Sequence, residues 1–403
     1  MSFFIKLFKF WPIFLFFLRG VSFFFCLLLI FKKYIFIISW RIFYLNSSFL
    51  NFNFILDSEG LFFSGIVIFI SANVLIFSKT YIKDDKNINY FTFMVLIFIL
   101  SINFLIFIPN IIVLLLGWDG LGITSFILVF YYQTPKSLRA GIITALTNRV
   151  GDVLILISMA WIFNNSDWII TLKIRSDDSF AIFLLIIASC TKRAQIPFRR
   201  WLPAAIAAPT PVSALVHSST LVTAGIFLLF RFKESLYLSP LGINILIVIR
   251  VRTIIMAGTA AIIETDMKKI IALSTLSQLG VIITRTALFL PLLTFFHLVR
   301  HALFKALIFI CAGNIITYNN HAQDLRSNSL SIYNLPIMFR TLIISNFSLM
   351  GFPFMAGFFS KDIIIECSSF IPSNLFLRLI FFFATVLTAI FIKILMKCFC
   401  LKN

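Results

Sequence analysis

PTPVSALVHSSTLVTAG, Pro209 to Gly225, is apolar and helix-length, yet it opens on two prolines and carries a histidine among a run of hydroxyls. Just upstream, Lys192 closes an apolar run of its own, AIFLLIIASCTK. The setting makes both features expensive. Of 403 residues, 61% are hydrophobic and 12% charged, where ordinary soluble proteins carry about 25% charged residues. A core this apolar cannot be wrapped in polar surface of matching size, so the solvent must be lipid. An ionisable group at membrane depth costs about 2.5–3.5 kcal/mol on insertion scales and marks an ion or proton path. Prolines there free backbone carbonyls, which is tolerated where protein or water satisfies them. Pro209 to Gly225 therefore reads as half of a broken-helix ion site within an all-α, polytopic transmembrane bundle.

Outward from that stretch, apolar runs recur along the whole chain. The first, Phe10 to Phe31, follows Lys6 and Lys9; its apolar part is too long for a signal peptide, so an uncleaved span is expected. Lys32 to Asn53 is mixed and aromatic, an interfacial connection. Further spans are expected near residues 61–78, 91–108, 110–131, 140–163, 180–197, 209–231, 241–263, 269–290, 292–317, 336–365 and 371–396. Twelve spans of about 20 residues take roughly 240 positions and leave only short loops. The span at 336–365 is interrupted by Gly351, Pro353 and Gly357 before it meets Lys361 and Asp362. Two broken helices, each with a lysine, are the sequence pointer to a transporter's ion path. The chain divides into an N-terminal span and connection (1–60), an antiporter-like core (61–366) and a final span with a short tail (367–403).

The net charge of +19 is scattered among apolar runs and forms no aromatic-interleaved groove, which argues against nucleic acid as a partner. Six cysteines include no C-x-x-C, and Cys398 and Cys400 are the one close pair. Neither a zinc nor an iron–sulfur site is spelled. No phosphate loop or nucleophile elbow is present, so any redox or hydrolytic step happens elsewhere. Fifty-two phenylalanines with many isoleucines and asparagines suggest an AT-rich organelle gene.

The polar residues are few enough to take singly. Asp119 lies in LLLGWDGLG, and Arg149 and Asp152 in LTNRVGDVL are three apart, on one helical face. A structural ion pair and a pair that tunes a neighbouring lysine both fit. Lys192 suits a headgroup anchor or a buried proton carrier; Lys268 and Lys269 suit a helix start at the interface as well as a path. His297, His301 and Lys305 recur every four residues along one face. They suit a proton relay, ahead of a satisfied polar core. Metal is the weakest reading, because the further ligands are missing. The hydroxyls around His217 suit water in a channel or their own helix backbone.

GWDGLG, TNRVGD, TKRAQIPF, WLPAAIAAPTPVSALVHSSTLVTAG, TDMKKIIALSTLSQLG, FHLVRHALFKALIF and GFPFMAGFFSKD together resemble, in order, the subunit-5 family of mitochondrial NADH:ubiquinone oxidoreductase, respiratory complex I. The likeness runs from about Asp57 to Glu366, with invertebrate members nearest. It implies an antiporter-like, proton-translocating membrane-arm subunit of the mitochondrial inner membrane, among other membrane-arm subunits, lipid, protons and internal water. No cofactor is expected on this chain; flavin and iron–sulfur clusters belong to other subunits. By the resemblance Asp119 is the acid paired with Lys192, and Arg149 and Asp152 modulate that lysine. His217 links toward the centre, Lys268, His297, His301 and Lys305 form the central axis, and Lys361 and Asp362 end it. A stand-alone cation/proton antiporter of the related family is the alternative, and a non-conducting spacer a third reading.

Two departures stand out. The family continues past position 403 with further spans and a lateral helix, so a fragment or short form is expected here. Arg139, Arg193, Arg199, Arg200, Arg250, Arg285, Arg300 and Arg340 stand where the family has mostly serine or another small polar residue. Eight buried arginines would be severe for insertion. AGA or AGG codons that mean serine in invertebrate mitochondria, read by the standard code, would produce them; removing those eight charges from +19 leaves +11.

Overall fold

A backbone that crosses lipid has to bond its own N–H and C=O groups, and helices do so within one segment. The computed structural model describes residues 2–45, 48–83, 85, 87–163, 179–236, 239–287, 290–325 and 334–370. Among these, eight helical stretches are long and apolar enough to cross a bilayer: Phe10–Lys32, Ser58–Tyr81, Ile88–Phe107, Ile111–Val129, Pro135–Ile162, Thr210–Arg231, Gly242–Ile263 and Pro291–Tyr318. They lie in helices α1 (Ser2–Lys32), α2 (Ser58–Tyr81), α3 (Ile88–Phe107), α4 (Ile111–Val129), α5 (Pro135–Phe163), α11 (Pro240–Ile263), α13 (Pro291–Tyr318) and the composite segment described below. The twelve expected spans differ from these eight for identifiable reasons. Two apolar helices, α6 (Ser179–Lys192) and α14 (Pro336–Met350), are only 14 and 15 residues long. Helix α12 (Met267–Ala287) buries Lys268, Thr275, Ser277 and Gln278, too polar a set for an apolar span. The expected span at 371–396 lies outside the described residues.

Both short helices end where the backbone breaks. After Lys192 the chain turns through Ala194 at φ 53° and resumes at α7 (Trp201–Ala204). A 3-10 turn, Ala205–Ala207, follows, and then Ala208 and Pro209 are extended at ψ 158° and 150°. Ala208 directly precedes Pro209, whose pyrrolidine ring disfavours α geometry in the residue before it, and Pro209 is the extended N-cap of the next helix. Pro211 is accommodated in the first turn of α8 (Thr210–Val212), where its missing N–H costs nothing. Ser213–Thr220 then widens into a π-helix and continues as α9 (Leu221–Arg231), followed by the single turn α10 (Lys233–Leu236). Hydroxyls fill the wide turn: Thr220 Oγ1 and Ser219 Oγ both donate to the Leu215 carbonyl, at 2.7 and 3.0 Å. The stretch expected to form half of one broken helix thus begins at a second interruption, and it occupies the buried centre of the bundle.

The other broken helix is interrupted after α14. Gly351 at φ 81° and Phe354 at φ 66° bracket Pro353 before α15 (Ala356–Phe370). A side chain at Gly357 would overlap the Ser348 carbonyl, so the two half-helices pack backbone to backbone.

The all-α expectation misses one element. The stretch read as a mixed, aromatic interfacial connection forms most of an antiparallel hairpin, β1 (Phe36–Leu45) and β2 (Ser48–Leu56), pairing Phe36 with Leu56 and Trp40 with Phe52. Aromatic and β-branched residues favour such a pleated surface. Asn110 fixes it to α4, donating from Nδ2 to the Asn51 carbonyl at 2.8 Å while its Oδ1 caps the helix at Ile112 N.

One long-range pair closes the bundle. Asp57 accepts two N–H groups from Arg231, at 2.6 and 2.9 Å, and also caps α2 at Gly60 N. The acid sits at the positive end of α2 and the guanidinium at the negative end of α9, so both macrodipoles favour the arrangement.

Candidate functional site

The first half of the site is where α6 stops. Lys192 is fully buried. Its Nζ donates to the Trp118 carbonyl of α4 at 3.1 Å and lies 4.8 Å from the indole centroid, an arrangement that adds cation–π attraction. Helix α4 is seated tightly because Gly117 lets it touch α3: a Cβ there would come 2.8 Å from Leu105 N. Next to Trp118, the Asp119 carboxylate is 3.6 Å from Arg149 Nη1, and the same nitrogen is 3.3 Å from Asp152 Oδ2. Arg149 therefore grips both carboxylates, from a side chain that is 59% exposed at the edge of the bundle. The expected contact between Asp119 and Lys192 is replaced by Asp119–Arg149. Lys192 stays within Coulomb reach of Asp152 and Asp119 while its own hydrogen bond goes to a main-chain oxygen.

The second half is built on α13. The four-residue spacing places His297, His301 and Lys305 on one buried face. Lys305 Nζ donates to Ser274 Oγ of α12 at 2.6 Å, and His297 Nδ1 lies 2.9 Å from Ser360 Oγ of α15. Between them, both ring nitrogens of His301 lack a hydrogen-bond partner among the described residues, and the ring is within Coulomb reach of Lys305 and Lys361. Lys268, in the first turn of α12, is buried. Lys361 ends the series, donating from Nζ to the Leu349 carbonyl. That oxygen belongs to the last turn of α14, where carbonyls have no helical partner and the dipole favours a cation. The two helix breaks thus present the same chemistry: a buried ammonium held by a main-chain carbonyl. The side chains of His217 and Asp362 lie outside the described residues; His217 itself is in the π-helix. No group of three or more His, Cys, Asp or Glu residues that could hold a metal ion gathers among the described residues.

Of the eight arginines expected to be buried, two are: Arg193 and Arg250 are 0% and 5% exposed. Arg300 is half-buried, Arg139, Arg199, Arg200 and Arg340 are exposed, and the Arg285 side chain lies outside the described residues. Arg193 donates from Nη2 to Ser189 Oγ and to the Gly225 carbonyl. Ser274, Ser360 and the Asp57–Arg231 pair were not singled out from the sequence. The serines carry no local signal, and Asp57 and Arg231 are 174 residues apart.

Comparison with known proteins agrees with this architecture. The family model described as NADH:quinone oxidoreductase/Mrp antiporter, transmembrane, matches residues 108–388. The model for the N-terminus of NADH-ubiquinone oxidoreductase (complex I) chain 5 matches residues 40–92. NADH-ubiquinone oxidoreductase chain 5 of Lumbricus terrestris is 52% identical over 88% of this chain and 62% of its own length. That of Locusta migratoria is 50% identical over 87% and 62%, so the chain spans about three-fifths of these relatives. That of Anopheles arabiensis is 46% identical over 82% of this chain and 88% of its own length. In fold, a chain of the Mrp complex from Dietzia sp. superposes with a TM-score of 0.82 at 24% identity, over 95% of this chain and 43% of that one. A chain of an archaeal membrane-bound sulfane sulfur reductase gives 0.74 at 20% identity, over 86% and 74%. These matches, and the two broken helices with their buried lysines, make this an integral membrane protein of the NADH:quinone oxidoreductase/Mrp antiporter family, similar along most of its length to complex I chain 5.

Proposed function

We propose that this chain moves protons across the mitochondrial inner membrane as a membrane-arm subunit of NADH:ubiquinone oxidoreductase. Flavin, iron–sulfur and quinone chemistry is carried by other subunits. The observation that carries the reading is the series of buried titratable groups, Lys192, Lys268, His301, Lys305 and Lys361; the first four have no carboxylate within 4 Å among the described ion pairs. A structural lysine at membrane depth would gain most from a fixed counter-ion. A proton carrier needs instead a partner that leaves both protonation states accessible, and a neutral oxygen does that.

The mechanism is electrostatic. Arg149 shares itself between Asp119 and Asp152; when it releases Asp119, the freed carboxylate alters how tightly Lys192 holds its proton. The proton passes by the π-helix that carries His217 to the Lys268, Lys305, His301 and His297 line, and leaves through Lys361 and Asp362. The load is the membrane potential, about 2.3 kcal/mol per charge per 100 mV. Asp57–Arg231 fixes the rotation of the segment that continues from the π-helix.

The test is NADH-driven acidification of inner-membrane vesicles carrying Lys192→Met or Lys361→Met. Both variants are expected to lower the protons moved per NADH oxidised. An unchanged ratio in both would make the chain a spacer. The second reading, a stand-alone cation/proton antiporter, rests on the Mrp-like fold and would be favoured by sodium-dependent flux from the isolated chain.

A further inference from the structure

Gly122 of α4 stands against the Lys192 ammonium, and packing alone does not require it. A Cβ built there would lie 3.7 Å from Lys192 Nζ and 4.0 Å from Asn148 Cβ, ordinary contact distances. It has no positive φ and sits inside α4, where glycine is about 0.8–1.0 kcal/mol worse than alanine. Sterically, then, alanine fits and is better for the helix. The space that glycine leaves is lined by Lys192 Nζ on one side and Asn148 on the other.

Asn148 points to what occupies it. It is 3% exposed, and neither its Oδ1 nor its Nδ2 has a hydrogen-bond partner among the described residues. Leaving a buried polar group unsatisfied costs about 1–3 kcal/mol, and here both ends of one amide are in that position. Asp119 Oδ1, on the same face of α4 one turn earlier, is also buried and unpartnered. Its Oδ2 is the atom facing Arg149. Gly122 is itself only partly covered. Buried polar groups with no protein partner, in a polar gap of this kind, are where ordered water binds.

We propose that Gly122 and Asn148 form a seat for a water molecule that joins the Lys192 ammonium to the Asp119–Arg149–Asp152 cluster. Asn148 positions the water: its Nδ2 donates to the water oxygen, or its Oδ1 accepts one water proton. Lys192 donates to the same oxygen when protonated. A proton leaving Lys192 reaches the water oxygen as one of that water's own protons passes on to Asp119, so the water is regenerated and no charge is stranded. The inference deepens the proton-carrier reading of Lys192 and rests on it.

The experiment uses the assembled respiratory membrane, with three variants beside Lys192→Met. Gly122→Ala fills the gap. Asn148→Leu keeps the volume and removes both polar atoms, and Asn148→Ser restores a hydroxyl with room for water. With the chain present at wild-type level, Gly122→Ala and Asn148→Leu are expected to slow NADH-driven acidification about a hundredfold, the low side of what a positioned proton-transfer group contributes. Asn148→Ser recovers most of the rate. The H2O/D2O rate ratio rises in the first two, a change that a merely structural role would not produce. Lys192→Met failing while Gly122→Ala and Asn148→Leu pump normally overturns the water seat and leaves the lysine reading standing. Normal pumping by Lys192→Met overturns both. If Gly122→Ala and Asn148→Leu fail to accumulate, high-resolution density of the wild-type assembly decides: a water within hydrogen-bond distance of Asn148 and Lys192 supports the seat, and a side chain filling the gap overturns it.

Discussion

Removing the Asp57 carboxylate should destabilise the bundle by an amount that its surroundings allow to be worked out. Asp57 takes both terminal nitrogens of Arg231, and the two side chains are only 12% and 16% exposed. Exposed pairs are worth about 0–1 kcal/mol. Breaking a pair this covered by removing one partner leaves a charge stranded and costs about 3–5 kcal/mol. Asp57 is also the N-cap of α2, accepting from Gly60 N at 3.3 Å, a role worth about 1 kcal/mol. Arg231 retains the Ile106 carbonyl at 2.9 Å and the Phe227 face at 5.0 Å, which keeps the loss at the lower end. Asp57→Ala should therefore cost about 3–4 kcal/mol. Asp57→Asn keeps the cap acceptor and should cost about 1 kcal/mol less. The double exchange Asp57→Arg with Arg231→Asp should fail to rescue, because each charge then faces the wrong end of a helix dipole. The assay is a denaturant titration of the detergent-solubilised protein, read by loss of helical circular dichroism. A cost below about 1 kcal/mol for Asp57→Ala, or full rescue by the exchange, would refute the reasoning.

Other outcomes follow from single contacts. Gly357→Ala places a methyl group on the Ser348 carbonyl and should prevent accumulation of the chain, checked by immunoblot of membranes. Ser274→Ala removes the hydroxyl that accepts from Lys305 and should cost about 1–3 kcal/mol, with Ser274→Thr recovering most of it in the same titration. Asp266 lies in the loop before α12, and the hydrogen bond from Lys269 in that helix's first turn, 2.5 Å away, holds the Asp266 carboxyl below its usual range. The folded value being depressed, this stabilisation is present above the unfolded value of about 3.9 and is lost as pH falls through the folded one. Lys269→Met should flatten that acid limb of thermal stability, and raised salt should reduce it. Peptide mass spectrometry of the native chain is expected to find serine at positions 199 and 200; arginine there would refute the codon reading.

The site was legible where a charge interrupts an apolar run. Lys192, His301, Lys305 and Lys361 stand out because lipid makes each of them costly, and the spacing of four on α13 carries its own geometry. What a lysine touches was not legible. Lys305 finds Ser274 thirty-one residues away, and Lys192 finds a main-chain oxygen that no side-chain pattern encodes. Asp119 choosing Arg149 over Lys192 depends on how α4, α5 and α6 meet. The hairpin was missed because its aromatic residues alternate weakly and adjoin apolar helices. The π-helix was missed because its extra residue is set by hydroxyl–carbonyl bonds across the turn rather than by composition. Exposure of Arg139, Arg199, Arg200 and Arg340 likewise depends on which face of the bundle each occupies.

The central claim is that these buried titratable groups are wetted and connected. A density map of the assembled respiratory membrane complex, sharp enough to place waters, tests it most directly. Ordered waters linking Lys268, Lys305, His301 and Lys361 are expected, with water bonded to the His301 ring nitrogens. Leucine- and phenylalanine-packed gaps between these groups, with no water across them, would contradict it.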